Sequence, residues 1–268
     1  DPAYDLARVA LGAAGLRVTP VSVDALGFDV SAARASDAKL VYLTPNAQFP
    51  TGVRLEANRR AMILGWAAAK GAWIIEDDYD CEFSFDKRGQ APLAAERGGE
   101  RVVYVGTLNK VLFPALRVAY VIVPEQLVER FLAGSDSALR ASNIPNQVVL
   151  QHFMEQGHLA AHVRHCRELY GARREVLIDA LRSRLGGHAH VATPMQGLLV
   201  QAWLDGWNDQ AVRAAAAERG VIVNAMSNCA LLPTRSGIFL GFAAHQPAAI
   251  RVAVEQLARA VEALTTQR

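Results

Sequence analysis

From Lys39 to Val123 the chain alternates short β-branched apolar runs with polar turns and longer amphipathic stretches, the pattern of strands covered on both faces of a sheet. The runs are Leu40-Val41-Tyr42-Leu43, Trp73-Ile74-Ile75, Val102-Val103-Tyr104-Val105 and Val118-Ala119-Tyr120-Val121-Ile122-Val123. Between the first two, Leu55 to Lys70 is rich in Ala, Leu, Ile and Met and stops at Gly71, which predicts a helix. Strand, helix and strand in that order imply a right-handed crossover onto a mainly parallel sheet. Nearer the start, Tyr4 to Ala14 predicts a helix and Arg17 to Val23 a strand.

Pro124 breaks this pattern, and beyond it helices are expected over Glu125 to Leu132, Gln147 to Gly157 and His158 to Leu185. After Gly186-Gly187, strand-like runs at Gly197 to Leu204 and Gly237 to Phe242 bracket an Ala-rich helix from Asp209 to Arg219. A last helix spans Pro247 to Leu264, and His188-Ala189-His190 reads as a turn. The expected organisation is α/β: a sheet domain over residues 1–124, then connecting helices and a small α+β subdomain over 125–268.

Composition narrows the function classes. The 268 residues are 51% hydrophobic and 20% charged, enough for one large domain or two modest ones. The 28 Lys+Arg against 26 Asp+Glu leave a net charge of +2, and the basic residues are scattered, so this stretch lacks the electrostatic footprint of a DNA-binding surface. No apolar run reaches the roughly 18 to 20 residues of a membrane-spanning helix. Asp1-Pro2-Ala3-Tyr4 has no signal-peptide pattern, and three widely spaced cysteines form no C-x-x-C. A reducing cytoplasm is the expected setting.

Ligands in open α/β sheets bind beyond the carboxyl ends of the strands, and three such ends are unusually polar here. After Trp73-Ile74-Ile75 comes Glu76-Asp77-Asp78-Tyr79-Asp80; after Val102 to Val105 comes Gly106-Thr107-Leu108-Asn109-Lys110, with Arg117 shortly beyond; after Leu43 comes Thr44-Pro45-Asn46-Ala47-Gln48-Phe49-Pro50-Thr51-Gly52. A guanidinium holds a phosphate as a planar fork, and a desolvated lysine can condense with an aldehyde. With a carboxylate on a neighbouring strand end, this set suits pyridoxal 5'-phosphate (PLP), which carries a phosphate, an aldehyde and a pyridine nitrogen. The bland alternative is a surface Lys and Arg beside solvated acids.

The segments at 44–52, 75–83 and 106–117, in this order and spacing, resemble the fold-type-I aminotransferase superfamily, and more narrowly the effector domain of MocR-type transcriptional regulators in the GntR superfamily. The resemblance continues through Asn146-Gln147, Gly157-His158 and Tyr170-Gly171-Ala172-Arg173-Arg174 to the last helix. It implies a fold-type-I PLP-dependent architecture, with residues 1–124 part of the PLP-binding large domain and its first portion, including a glycine- or serine-rich phosphate-binding segment, lying before Asp1. It further implies Lys110 as the lysine that forms a Schiff base with PLP, Asp77 as partner of the pyridine nitrogen, Tyr79 as donor to the phenolic oxygen, and Thr107 and Arg117 as phosphate ligands. Tyr4 would set an aromatic ring near the pyridine, and Asn46 would stand at the rim.

Departures from the family pattern separate sensor from enzyme. Aminotransferases commonly read the substrate carboxylate with an arginine ahead of a strand like Gly237-Ile238-Phe239-Leu240-Gly241-Phe242-Ala243, and here Phe239 takes that place. Arg235 is the nearest substitute, or a plain surface charge. Phe49 replaces the Asn usual in enzymes, and Asn109 and Ala115 replace the more frequent Ser and Gly. The leading expectation is therefore the ligand-sensing part of a regulator. It is expected to be homodimeric, to respond to PLP or a small amino-compound, and to reach DNA only through a winged-helix module absent from this chain. A transaminase acting on an amino acid or amine is the alternative, and a domain kept for dimerisation that no longer holds PLP is a third.

Other features read as structural. His158, His162 and His165 at helical spacing suit a solvated or interfacial basic face better than a metal site. Cys81 reads as a buried inert thiol, and Glu76, Asp78 and Asp80 as solvent-facing or helix-capping acids.

Overall fold

The computed structural model of the chain describes residues 1–86, 89–138 and 144–265. In order, its main elements are α1 (Asp5–Ala13), β1 (Val23–Asp24), β2 (Gly27–Phe28), α2 (Val30–Arg34), β3 (Leu40–Leu43), α3 (Ala57–Lys70), β4 (Trp73–Asp78), β5 (Val102–Thr107), β6 (Ala119–Ile122), α4 (Glu125–Ala138), α5 (Ile144–Glu155), α6 (His158–Leu185), β7 (Ala189–Val191), β8 (Leu199–Leu204), α7 (Asp209–Ala217), β9 (Asn224–Ala225), β10 (Gly237–Gly241) and α8 (Pro247–Thr265). They divide into two compact units, one of Asp24–Asn46 and Arg54–Arg167, the other of Asp1–Val23, Ala47–Val53 and Glu168–Arg268, the chain passing between them within α6.

The first unit is built on a four-stranded sheet in the order β3-β4-β5-β6. The strands β3, β4 and β5 run parallel, with Leu40 opposite Trp73 and Ile74 opposite Val102, while β6 returns antiparallel with Thr107 opposite Ala119. Helix α3 forms the predicted crossover. Glu56 caps its start by accepting the Asn58 and Arg59 N–H groups, and Gly71 ends it in the left-handed region, φ 63°, which glycine enters without a Cβ penalty. Its Ile63, Leu64, Trp66 and Ala67 pack with Val41, Leu43, Ile74 and Val102 into one core. A charge is carried within it: Arg60 is 1% exposed and donates to Glu96, Asn46 and the Ala91 carbonyl, the multiple bonding that a buried guanidinium requires.

The second unit holds an antiparallel sheet in the order β7-β8-β10-β9. Helix α8 buries Ile250, Val254, Leu257, Ala258 and Val261, a single stripe at helical spacing. The loop segment 47–53 is fastened in this unit: Gln201 Nε2 donates to the Pro50 carbonyl at 2.9 Å, and the Phe49 ring meets Phe239 edge-on with centroids 5.6 Å apart.

Two local expectations are corrected. The strand expected over Arg17 to Val23 shrinks to Val23 and Asp24, because Leu16 and Val18 are exposed and give the segment no buried face. The turn expected at His188-Ala189-His190 stops at His188, and Ala189 opens strand β7: Ala189 and Val191 are buried and His190 exposed, so period-two burial prevails beyond the glycines. No helix of the described residues is long and apolar enough to cross a membrane.

Candidate functional site

Strand β4 runs past its apolar stretch into the acidic residues, and the strand period sorts them onto two faces. Ile74, Glu76 and Asp78 point into the core of the first unit, and Asp80 just beyond the strand is buried as well. The solvent-facing placement expected for these acids is thereby corrected, while the capping alternative holds for Glu76. Inward carboxylates are tolerated because backbone and side-chain donors await them. Glu76 accepts the N–H groups of Leu93 and Ala94 at 2.8 and 3.0 Å, capping a 3₁₀ turn, and Asp78 accepts from Asn46 at 3.3 Å and from the Tyr104 hydroxyl at 3.2 Å. Burial pushes the Glu76 carboxyl from 4.5 up to about 7, with Asp78 adding repulsion.

Asp77 takes the opposite face, at the carboxyl end of β4 and paired in register with Val105 of β5. The Tyr42 hydroxyl, from the neighbouring parallel strand, donates to Asp77 Oδ2 at 2.5 Å. Burial raises the Asp77 carboxyl above its ordinary value, while the Tyr42 bond and the Lys110 charge pull it back down. Tyr79 shares that face, and desolvation followed by repulsion from Asp80 and Asp77 holds its hydroxyl well above its usual range, so it is a neutral donor.

Five residues beyond Val105 is Lys110, exposed in the turn that leaves β5. The desolvated lysine imagined from sequence is not what this chain presents: the turn carries the side chain outward, and no hydrogen bond or ion pair holds it among the described residues. Thr107 ends β5, donating to the Val118 carbonyl at 3.4 Å and accepting the Asn109 N–H at 3.2 Å. Arg117 closes the same loop in the left-handed region, φ 54° and ψ 41°, with its side chain exposed. It is the one non-glycine residue with positive φ among the described residues, a conformation that a side chain occupies at a cost and that here sets the exit into β6.

The first unit therefore brings together Asp77, Tyr79, Thr107, Lys110 and Arg117 along the ends of β4 and β5. Asn46 belongs to an inner network, 2% exposed and bonded to Arg60 and Asp78. Tyr4 lies in the second unit, its ring edge-on to Phe49 at 5.6 Å. Phe239 is buried there too, and Arg235 is engaged by Asp205 at 2.9 Å with its guanidinium over Trp203, which makes it a paired surface charge.

Sequence reasoning missed Tyr42, Tyr104, His162 and Asn146. Tyr42 and Tyr104 lie within apolar strand runs, and nothing in the sequence gives either phenol a partner. Of the solvated or interfacial face expected for His162, the interfacial alternative holds: the ring is half-buried and its Nε2 sits 2.9 Å from the Val111 carbonyl oxygen. Cys81 is half-buried rather than buried as expected, and desolvation pushes its thiol up to about 12.

No family model matches the chain. Among curated proteins it is 30% identical over 260 residues to the HTH-type transcriptional regulator YdeL of Bacillus subtilis, covering 96% of this chain and 56% of that protein. It is 30% identical over 269 residues to the probable rhizopine catabolism regulatory protein MocR of Rhizobium meliloti, covering 98% and 54%. The chain thus spans about half the length of the curated relatives it matches. Among solved structures, the α-aminoadipate aminotransferase LysN of Thermus thermophilus, complexed with N-(5'-phosphopyridoxyl)-L-leucine, superposes with TM-score 0.90 at 24% identity, over all of this chain and 71% of that one. The fold is that of the fold-type-I aminotransferases, and the chain is an aminotransferase-like region related in sequence, over nearly its whole length, to MocR-type HTH transcriptional regulators.

Proposed function

We propose that the chain is a PLP-binding, effector-sensing region of a MocR-type regulator, with the cofactor held covalently through the Lys110 amine. The observation that carries this is the placement of Asp77 at the carboxyl end of β4 and of Lys110 just beyond that of the adjacent parallel β5, close enough for the lysine charge to act on the carboxyl. The residues fit the group by type: an acceptor for a protonated pyridine nitrogen, a neutral phenol, a hydroxyl, an amine and a guanidinium, the last two without protein partners among the described residues.

When bound, PLP supplies an aldehyde that condenses with amines and a ring that withdraws electrons. Asp77 would hold the proton on the pyridine nitrogen, and Tyr42 would orient Asp77 and favour its ionised form. Tyr79 would donate to the phenolic oxygen, Thr107 and Arg117 would bind the phosphate, and Lys110 would carry the covalent bond.

Two features of the second unit favour sensing over transamination. A buried phenyl ring at Phe239 cannot read a carboxylate as a guanidinium does, and Arg235 is already paired. The DNA contact would belong to the HTH part of the longer regulator, and a homodimer in the cytoplasm, responding to PLP or an amino-compound, is the proposed working form. Loading the protein with PLP and mixing it with a panel of amino acids and amines in single-turnover experiments tests this: slow or absent conversion to the pyridoxamine form supports a sensor. Rapid repeated turnover overturns it in favour of a transaminase.

A further inference from the structure

The loop between β5 and β6 carries Lys110 and Arg117 as exposed side chains, yet its backbone is fastened from three directions. Within the loop, Asn109 Oδ1 accepts the Val118 N–H at 3.1 Å. From α6, His162 Nε2 reaches the carbonyl of Val111, the residue after Lys110, at 2.9 Å. A carbonyl only accepts, so Nε2 carries the proton and donates. From α5, Asn146 Nδ2 donates to the carbonyl of Leu116, the residue before Arg117, at 3.0 Å. Val111 and Leu116 are 1% and 6% exposed, so the two anchored residues are sunk into the unit while the cations beside them project outward.

We propose that His162, seconded by Asn146, is a positioning residue for Lys110: two helices grip the carbonyls that flank the loop's cations and fix the direction from which the lysine amine meets an aldehyde. The inference rests on Lys110 being the PLP-bearing lysine. The physical ground is that a long lysine stem is mobile, so the place of its amine is set by the backbone beneath it, and covalent capture is fast only from an aligned geometry. Cys166, buried one helical turn on with its Sγ 3.5 Å from His162 Nε2, helps fix the ring against α6.

The test mixes the protein with PLP, reduces aliquots with borohydride over time, and quantifies the pyridoxyl label on Lys110 by peptide mass spectrometry, for wild type, His162→Ala, His162→Gln and Asn146→Ala. Losing one hydrogen bond of ordinary strength predicts labelling about five- to tenfold slower in His162→Ala. The Gln amide can donate to the same carbonyl, and His162→Gln should label within about twofold of wild type, a rescue that a merely space-filling role would not produce. A second measurement does without PLP: cleavage by trypsin after Lys110 should accelerate in His162→Ala and return toward wild type in His162→Gln. Equal labelling and equal cleavage in wild type and His162→Ala would overturn the positioning role. Absence of Lys110 label in wild type overturns the cofactor assignment instead, a failure that faster trypsin cleavage of His162→Ala, restored in His162→Gln, keeps separate from loss of the anchor.

Discussion

Replacing Glu76 by Gln probes the buried acidic face of β4 through the pH dependence of stability. Glu76 is fully buried and its carboxyl is held at about 7 against an ordinary 4.5. Below pH 4.5 it is protonated in both folded and unfolded chains and costs nothing. As pH rises, the unfolded chain releases its proton first, so the folded state loses stability steadily until about pH 7, where both forms are ionised. Each tenfold in affinity for the proton is worth about 1.4 kcal/mol, so the interval from 4.5 to about 7 amounts to about 3 kcal/mol. Glutamine titrates in neither state. Like the protonated carboxyl it replaces, its amide keeps one carbonyl oxygen to accept from the Leu93 and Ala94 N–H groups, so its offset from the neutral acid does not vary with pH. Urea denaturation of both proteins, followed by far-UV circular dichroism at half-unit steps from pH 4.5 to 8, should show the variant gaining on wild type by about 3 kcal/mol, most of it before pH 7. A stability difference constant with pH, or one moving the other way, refutes the placement of Glu76 in a desolvated site.

The remaining predictions are briefer. Tyr42→Phe removes the donor to Asp77 Oδ2 and should weaken PLP retention about tenfold, as loss of a hydrogen bond to a charged group does, measured by equilibrium dialysis; unchanged retention would remove Tyr42 from the site. Leu257→Ala empties a fully buried position on α8 and should cost about 2 to 5 kcal/mol in thermal or denaturant unfolding. Native Cys81, its thiol at about 12, should react slowly with iodoacetamide at pH 8 and faster once the chain is unfolded; brisk labelling of the folded protein would contradict the raised thiol.

The sheet of the first unit could be read from sequence because its strands are buried on both faces and announce themselves as continuous apolar runs, and α3 because it ends at a glycine free to turn left-handed. The candidate site followed from the polar strand ends, which put Asp77, Thr107 and Lys110 on one rim. What could not be read was the partition of Glu76-Asp77-Asp78 between two faces. A run of acids looks solvated until the register with β5 and the N–H groups of Leu93 and Ala94 show that alternate members are buried. Tyr42 was hidden for a related reason, since its hydroxyl gains meaning only through a bond to a residue 35 positions away. His162 and Asn146 act on carbonyls, which have no sequence signature at all. At β7 the glycine pair outweighed a three-residue alternation too short to count as a strand before its partner β8 was known.

The central claim is that this fold holds PLP through one lysine, and the composition makes it easy to test, for the chain has only Lys39, Lys70, Lys87 and Lys110. Equilibration with a slight excess of PLP, borohydride reduction and peptide mass spectrometry should place the pyridoxyl group on Lys110 far above the other three, with the label lost in Lys110→Ala and diminished in Asp77→Asn. Label spread evenly over the four lysines, or absent from Lys110, would contradict it.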